Sequence, residues 1–201
     1  AVAVDPSSGQ DSPDCNVAQP CRTVEYALHQ RQATSVLLLR GTFTETSIRV
    51  DGSAPFLSIG SRDGSAFDCG GGGPAFVVAN VSVAFSGITF RNCVNFNALS
   101  GTGGAVSAVH STINVTNCSF TNNTAQTGGA IGTISSTLTV ASSWFENNTA
   151  TCPNTTTACS SWGGAIGAVE APVLNLVGND FSRNAVDLEL IGVNDSASRA
   201  A

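Results

Sequence analysis

Short runs in which apolar and polar residues alternate recur along this chain, separated by glycine, asparagine and aspartate. Ala1 to Val4 alternates as a short strand, and Asp5 to Pro20 is a polar loop. Thr23 to Arg31 reads as a helix: Thr23 is the N-cap, Glu25 lies in the first turn, and Val24, Ala27 and Leu28 share one face. Such a helix can cover the apolar end of a stack. From Val36 onward the pattern predicts strands at Val36 to Leu39, Ile48 to Val50, Phe56 to Ile59, Phe76 to Val78, Val81 to Phe85 and Ile88 to Phe90. Turns at Asp51-Gly52 and Asp63-Gly64 punctuate them.

The second half repeats. Gly103-Gly104-Ala105-Val106 leads to Phe120 and Asn123, Gly128-Gly129-Ala130-Ile131 to Phe145 and Asn148, and Gly163-Gly164-Ala165-Ile166 to Phe181 and Asn184. A degenerate copy, Gly73-Pro74-Ala75-Phe76 with Phe90, precedes them. The unit is about 25 residues, with excess length in loops at Ala98 to Thr102 and Thr151 to Trp162, and it cannot bury its apolar face without a neighbour. Each unit reads as three strands, for example Ala130 to Ile134, Leu138 to Val140 and Ser143 to Phe145.

Recurrence at this interval predicts an all-β, single-domain right-handed parallel β-helix over residues 1–201. The expected parts are an N-terminal strand, disulfide loop and cap helix (1–35), the coils (36–193) and a polar tail (194–201). Phe90, Phe120, Phe145 and Phe181 are expected to stack up the core, with Asn123, Asn148 and Asn184 as an inward ladder serving backbone groups at turns. At about 4.8 Å per coil, some seven or eight coils give a rod of roughly 35–40 Å. One further coil can be drawn through Val186, Leu188, Leu190 and Val193.

The pairing of Gly-Gly-Ala-Ile with Phe-x-x-Asn resembles the repeat of chlamydial polymorphic outer-membrane proteins and related eukaryotic β-helix surface proteins. The opening, Pro20-Cys21-Arg22-Thr23-Val24-Glu25-Tyr26-Ala27-Leu28 followed by Val36-Leu37-Leu38-Leu39-Arg40-Gly41-Thr42-Phe43, resembles the start of pectin-lyase-like β-helices. The resemblance implies a capping helix followed by a first coil. It is specific for fold and weak for function, because the same scaffold serves enzymes, adhesins and phage spikes.

Composition narrows the functional classes. Charged residues are 11% of the chain against about 25% in a typical soluble protein, so solubility needs another source. The basic residues are all arginine and the net charge is −6, which gives no basic footing for nucleic acid or an anionic membrane. No apolar run approaches the ~18 residues that span a bilayer. Methionine is absent even at position 1, so a processed chain with its signal peptide removed is expected.

Seven cysteines point to an oxidising compartment. Cys15–Cys21 and Cys152–Cys159 can each close a short loop, Cys69–Cys93 suits a bridge between adjacent coils, and Cys118 is left as a buried thiol, or one available for an intermolecular bridge. Two histidines and no Cys-x-x-Cys disfavour zinc. Seven asparagines begin Asn-x-Ser/Thr without proline: Asn80, Asn114, Asn117, Asn122, Asn147, Asn154 and Asn194. Asn122 and Asn147 precede the inward Asn123 and Asn148, so they should point outward. A eukaryotic secreted glycoprotein, extracellular or at the cell surface, with covalent N-glycans and no other cofactor, follows as the expectation.

Catalysis by this scaffold implies Asp pairs in hydrolases, or calcium-binding carboxylates with an Arg or Lys base in lyases. Between Asp68 and Glu146 the chain has no carboxylate, and only Arg91 and His110 as cationic candidates. His110 reads as a solvated turn residue, Arg91 as outward-facing, and Glu146 and Glu170 as solvated. Asp180, Asp187 and Glu189 are a loose cluster that reads as a solvated face in preference to a calcium site. Trp144, beside the inward Phe145, should point out and serve a sugar or an interface, or pack on its own glycan or on the Thr151 to Trp162 loop; Trp162 should cover the Cys152–Cys159 loop. The leading expectation is a non-enzymatic structural protein associating head to tail with other copies of itself. A lectin or adhesin binding extracellular glycans near Trp144 comes second, and a polysaccharide-degrading enzyme third.

Overall fold

The computed structural model describes residues 1–52, 55–96, 102–152 and 161–187. Strand β1 (Val2–Val4) precedes helix α1 (Val24–His29), then come β2 (Ser35–Leu38), β3 (Thr42–Phe43) and β4 (Ile48–Asp51). Two long strands, β5 (Phe56–Asp68) and β7 (Ser82–Arg91), flank β6 (Phe76–Ala79), and β8 (Val94–Asn95) follows. The first full repeat supplies β9 (Val106–Val109), β10 (Thr112–Thr116), β11 (Ser119–Thr121) and β12 (Thr124–Ala125). The second supplies β13 (Ile131–Ile134), β14 (Thr137–Ala141), β15 (Trp144–Glu146) and β16 (Thr149–Thr151). The third supplies β17 (Ile166–Val169), β18 (Leu174–Val177), β19 (Asp180–Ser182) and β20 (Ala185–Asp187).

Among the described residues the fold is all-β around parallel sheets, with α1 as its only α-helix. One sheet runs β1-β2-β5-β7-β10-β14-β18, with β3, β11, β15 and β19 pairing alongside. A second runs β8-β12-β16-β20, and a third β4-β6-β9-β13-β17. Register partners are equivalent positions of successive repeats: Phe90, Phe120, Phe145 and Phe181 form one column, and Val106, Ile131 and Ile166 another. Unequal repeat lengths leave this register intact because the excess residues lie outside the strands, mostly between the fourth strand of one repeat and the Gly-Gly of the next, with one at the corner between β17 and β18.

Three strand expectations need correction. Each full repeat has four strands, since Thr124–Ala125, Thr149–Thr151 and Ala185–Asp187 pair although they are too short for alternation to reveal them. Asp63-Gly64 does not end a strand: β5 runs through it with a register shift between Gly60 and Ser65, and Gly64 takes φ +81°. The strands expected at Val81 to Phe85 and Ile88 to Phe90 are one pairing strand, β7, which begins at Ser82 and has Gly87 at φ +68° inside it. Two boundaries also move. β1, the expected N-terminal strand, pairs with β2, so the stack starts before residue 36; Val186 lies opposite Ala150 in the repeat of Phe181, so it does not open another coil. Leu188, Leu190 and Val193 lie outside the described residues.

Corners between strands use left-handed backbone, which costs a non-glycine residue about 1–2 kcal/mol and asparagine least. Asn80, His110, Ser135 and Glu170 follow β6, β9, β13 and β17 with φ of +55°, +50°, +46° and +51°. Asn92, Asn122, Asn147 and Arg183 occupy a second corner, and Asn117 and Ser142 a third. Gly128 sits at φ +67°, while a Cβ on Gly129 would lie 2.1 Å from the Gly164 carbonyl oxygen. The Gly-Gly step thus supplies first a conformation and then a close approach of backbones.

The interior is a column of rings. Phe90–Phe120, Phe120–Phe145 and Phe145–Phe181 stack with centroids 5.0, 4.8 and 4.9 Å apart, and Phe43 and Phe67 extend the column toward α1. Val24 and Ala27 of α1 are buried against the first strands. Helix-end donors are satisfied locally: Thr23 Oγ1 accepts from Tyr26 N–H at 3.2 Å, and Glu45 Oε1 accepts from Val24 N–H at 2.8 Å. Burial raises the Glu45 pKa against the lowering effect of the Glu25 and Val24 N–H donors.

Candidate binding surface

The polar residues of the interior serve the backbone. Asn148 Oδ1 accepts from Asn123 N–H at 3.1 Å and from Asn123 Nδ2 at 2.9 Å, and Asn148 Nδ2 donates to the Phe120 carbonyl at 3.0 Å. Asn184 repeats the arrangement for Asn148 and the Phe145 carbonyl, and Asn123 does so for Cys93 N–H and the Phe90 carbonyl. Buried backbone groups that would otherwise lack partners are thereby paired. The column begins at the Cys69–Cys93 disulfide, which occupies the position that asparagine takes in later repeats.

A second corner column escaped sequence reading because its residue type changes at every step. Cys118, Ser143 and Asn179 each bond a backbone carbonyl behind them: Thr116, Ala141 and Val140 respectively. Ser143 Oγ also accepts from Cys118 N–H at 3.2 Å, and Asn179 Oδ1 from Ser143 N–H at 2.9 Å. Cys118 is a free, buried thiol, and burial pushes its pKa up to about 11, so it is a poor nucleophile. Cys15 is bonded to Cys21. Cys159 lies outside the described residues, while Cys152 Sγ is 3.1 Å from Ser161 Oγ. The two described disulfides point to an oxidising, non-cytosolic compartment.

Of the sequon asparagines, Asn80, Asn117, Asn122 and Asn147 are exposed and stand at left-handed corners. Asn114 is half-buried within β10, between Ala84 and Thr139 of the neighbouring strands. Asn154 and Asn194 lie outside the described residues.

Charged candidates do not converge. Arg91 faces outward, as expected, and forms a 2.9 Å ion pair with Asp68 of the preceding repeat. Asn92 Nδ2 donates to the same carboxylate, and this bond is the largest cause of the lowered Asp68 pKa. Sequence separation hid that pair. Glu146 meets Arg183 at 3.1 Å, and Glu170 accepts from Ser135 Oγ at 3.0 Å. His110 and Asp180 are exposed; nothing is described of the Asp187 side chain or of Glu189. Among the described residues no three His, Cys, Asp or Glu side chains group as metal ligands. A cavity of about 570 Å³ lies under the C-terminal end of α1 beside Arg49, Asp51 and Leu57, a place with no sequence signal because α1 and β5 create it jointly.

Trp144 is 44% exposed and stands between Ser119 and Asp180 in register. A shallow groove of about 330 Å³ runs past its indole and is lined also by Asn117, Ser119, Ser142 and Asp180. Trp162 is exposed too, but its Nε1–H donates to Thr127 Oγ1 at 2.7 Å, fixing the ring to the neighbouring repeat; the loop it was expected to cover lies outside the described residues.

Large apolar side chains are exposed together in the third repeat: Leu174, Leu176, Phe181 and Val186. No described helix is long and apolar enough to cross a membrane. No family model, curated protein or solved structure matches the chain.

Proposed function

We propose that the chain is a right-handed parallel β-helix of pectin-lyase-like architecture. Its role is that of a secreted, N-glycosylated, non-enzymatic structural protein that assembles end to end into a filament or surface coat. The fold reading is supported by three parallel sheets whose partners are equivalent repeat positions, and by the unbroken ring and amide columns. The observation that carries the functional reading is the contrast between the ends. Helix α1 covers the first strands, whereas Leu174, Leu176, Phe181 and Val186 of the third repeat face solvent. Because a helix lies over the first strands, the exposed apolar face of the third repeat meets another copy through side-chain docking on that helix rather than through a continued strand ladder. A heterologous contact of this kind propagates as an open rod.

Electron microscopy of the native glycosylated protein across a concentration series tests this. Rods of uniform width that lengthen with concentration, and that Leu176→Asp shortens to single particles, are expected. Particles one domain long at every concentration overturn assembly, and particles two domains long replace the filament with a closed pair. A second reading, a carbohydrate-binding module, is favoured by the exposed Trp144 groove. Its test is a glycan array probed with the protein and its Trp144→Ala variant: loss of binding with assembly intact selects it.

A further inference from the structure

We propose that the Trp144 indole is the docking platform for the N-glycan carried by Asn117 of its own chain, an inference that rests on the glycoprotein reading. The whole Asn117-Cys118-Ser119 sequon lies against the Trp144 strand. Cys118 O accepts the Trp144 backbone N–H at 2.9 Å, and Ser119 is the register partner of Trp144. Parallel partners project to the same side, so Ser119, Trp144 and Asp180 form one outward row. Asn117 stands at its left-handed corner, φ +52°, two residues before Ser119. Asn117 and Trp144 are both exposed and line the same groove.

That row has the composition of a sugar subsite. An indole face takes the C–H face of a pyranose, while the Ser119 hydroxyl and the Asp180 carboxylate offer partners to its hydroxyl and acetamido groups. The ligand is tethered on the wall of the groove, so its effective concentration is of millimolar order without any intrinsic affinity of note. The other exposed corner sequons lack such a platform. Asn80 lines a groove with His110, Ser135 and Pro172; beside Asn122 and Asn147 the side chains of Glu146 and Arg183 are occupied with each other. Exposed tryptophan on a sparsely charged protein is a liability for adhesion, and a glycan in cis covers it.

The experiment uses protein secreted from a glycosylating host, in a Trp162→Phe background so that Trp144 is the only emitter. Site occupancy is read by peptide mass spectrometry, acrylamide quenching of Trp144 is compared with and without Asn117→Gln, and thermal unfolding is compared for the Asn117→Gln, Trp144→Phe and double variants. Endoglycosidase trimming to a single N-acetylglucosamine provides a variant-free control. The expected result is Asn117 occupied, Trp144 more strongly quenched in Asn117→Gln, and a loss of about 2–4 °C in Tm on removing the glycan that vanishes when Trp144 is replaced. Equal quenching with and without the glycan, or an additive double variant, overturns the proposal. So does an unoccupied Asn117 alongside glycosylated Asn80, Asn122 or Asn147, which leaves the glycoprotein reading standing. Absence of sugar at all seven sequons overturns both.

Discussion

The second and third repeats carry the same motif and reach opposite fates. Phe145 is 0% exposed and Phe181 47%; Leu138 and Val140 are both 0% exposed, while their register partners Leu174 and Leu176 are 49% and 42% exposed. Ala150 is buried and its partner Val186 is not. Side-chain type does not account for the difference, because the hydrogen bonds and ring stacking behind Phe181 are those behind Phe145. What differs is the neighbour in front. One repeat supplies half of each contact, so burial in this protein belongs to the interface between repeats.

Substitutions along the two equivalent columns sharpen that comparison. Phe145→Ala empties a sealed site and should cost about 3–5 kcal/mol, against roughly 1–2 kcal/mol for Phe181→Ala. Urea unfolding with tryptophan emission reads both, and Phe145→Leu serves if the alanine variant does not fold. Equal losses would mean that assembly or the chain beyond Asp187 buries Phe181 as deeply as Phe145.

Next in size is the amide column. Asn148→Ala strips partners from the Phe120 carbonyl and the Asn123 N–H in a closed interior, a loss of roughly 3 kcal/mol; Asn184→Ala should cost roughly 1 kcal/mol, since water can reach the end. Hydrogen exchange should show new opening at Asn123 only in the first variant.

Cys118 adds a pH dependence to the interior. Its pKa is raised in the fold by burial, so the folded protein holds the proton more tightly than the unfolded chain. The associated stability is present below the ordinary thiol range and is lost as pH rises toward about 11. Urea midpoints taken from pH 8 upward should fall more steeply for the native protein than for Cys118→Ser, whose hydroxyl follows the neighbouring Ser143. Parallel curves would show that the thiol is not sealed.

The smallest effect has the opposite sign. Thr133 is buried with its Oγ1 unpartnered, while Ala108 and Ala168 occupy the matching positions on either side. Thr133→Val keeps the shape and removes the orphan hydroxyl, for an expected gain of about 1 kcal/mol in the same unfolding assay.

Much of this was legible in the chain. Phe90, Phe120, Phe145 and Phe181, together with Asn123, Asn148 and Asn184, announce their columns because identical residues recur at an interval that pairing preserves. Thr23 announces α1 through its capping chemistry, and Asn122 and Asn147 announce their exposure through the inward residues beside them. The Cys118–Ser143–Asn179 column stayed hidden, since three side chains do one job. So did the two-residue strands, where no alternation has room to develop.

The order of residues thus sets which positions can stack, because the near-constant spacing from Gly-Gly-Ala to Phe-x-x-Asn within each repeat returns equivalent side chains to one another. Contacts between unlike side chains at equivalent positions had to await the folded chain: Arg91 on Asp68, Trp162 on Thr127, and Ser119 of the Asn117 sequon beside Trp144. These depend on how far each corner turns and on how much chain is spent in the loops between repeats. The exposure of Phe181 beside a buried Phe145 likewise has no local signal, because it measures what lies in front of a residue and not the residue itself.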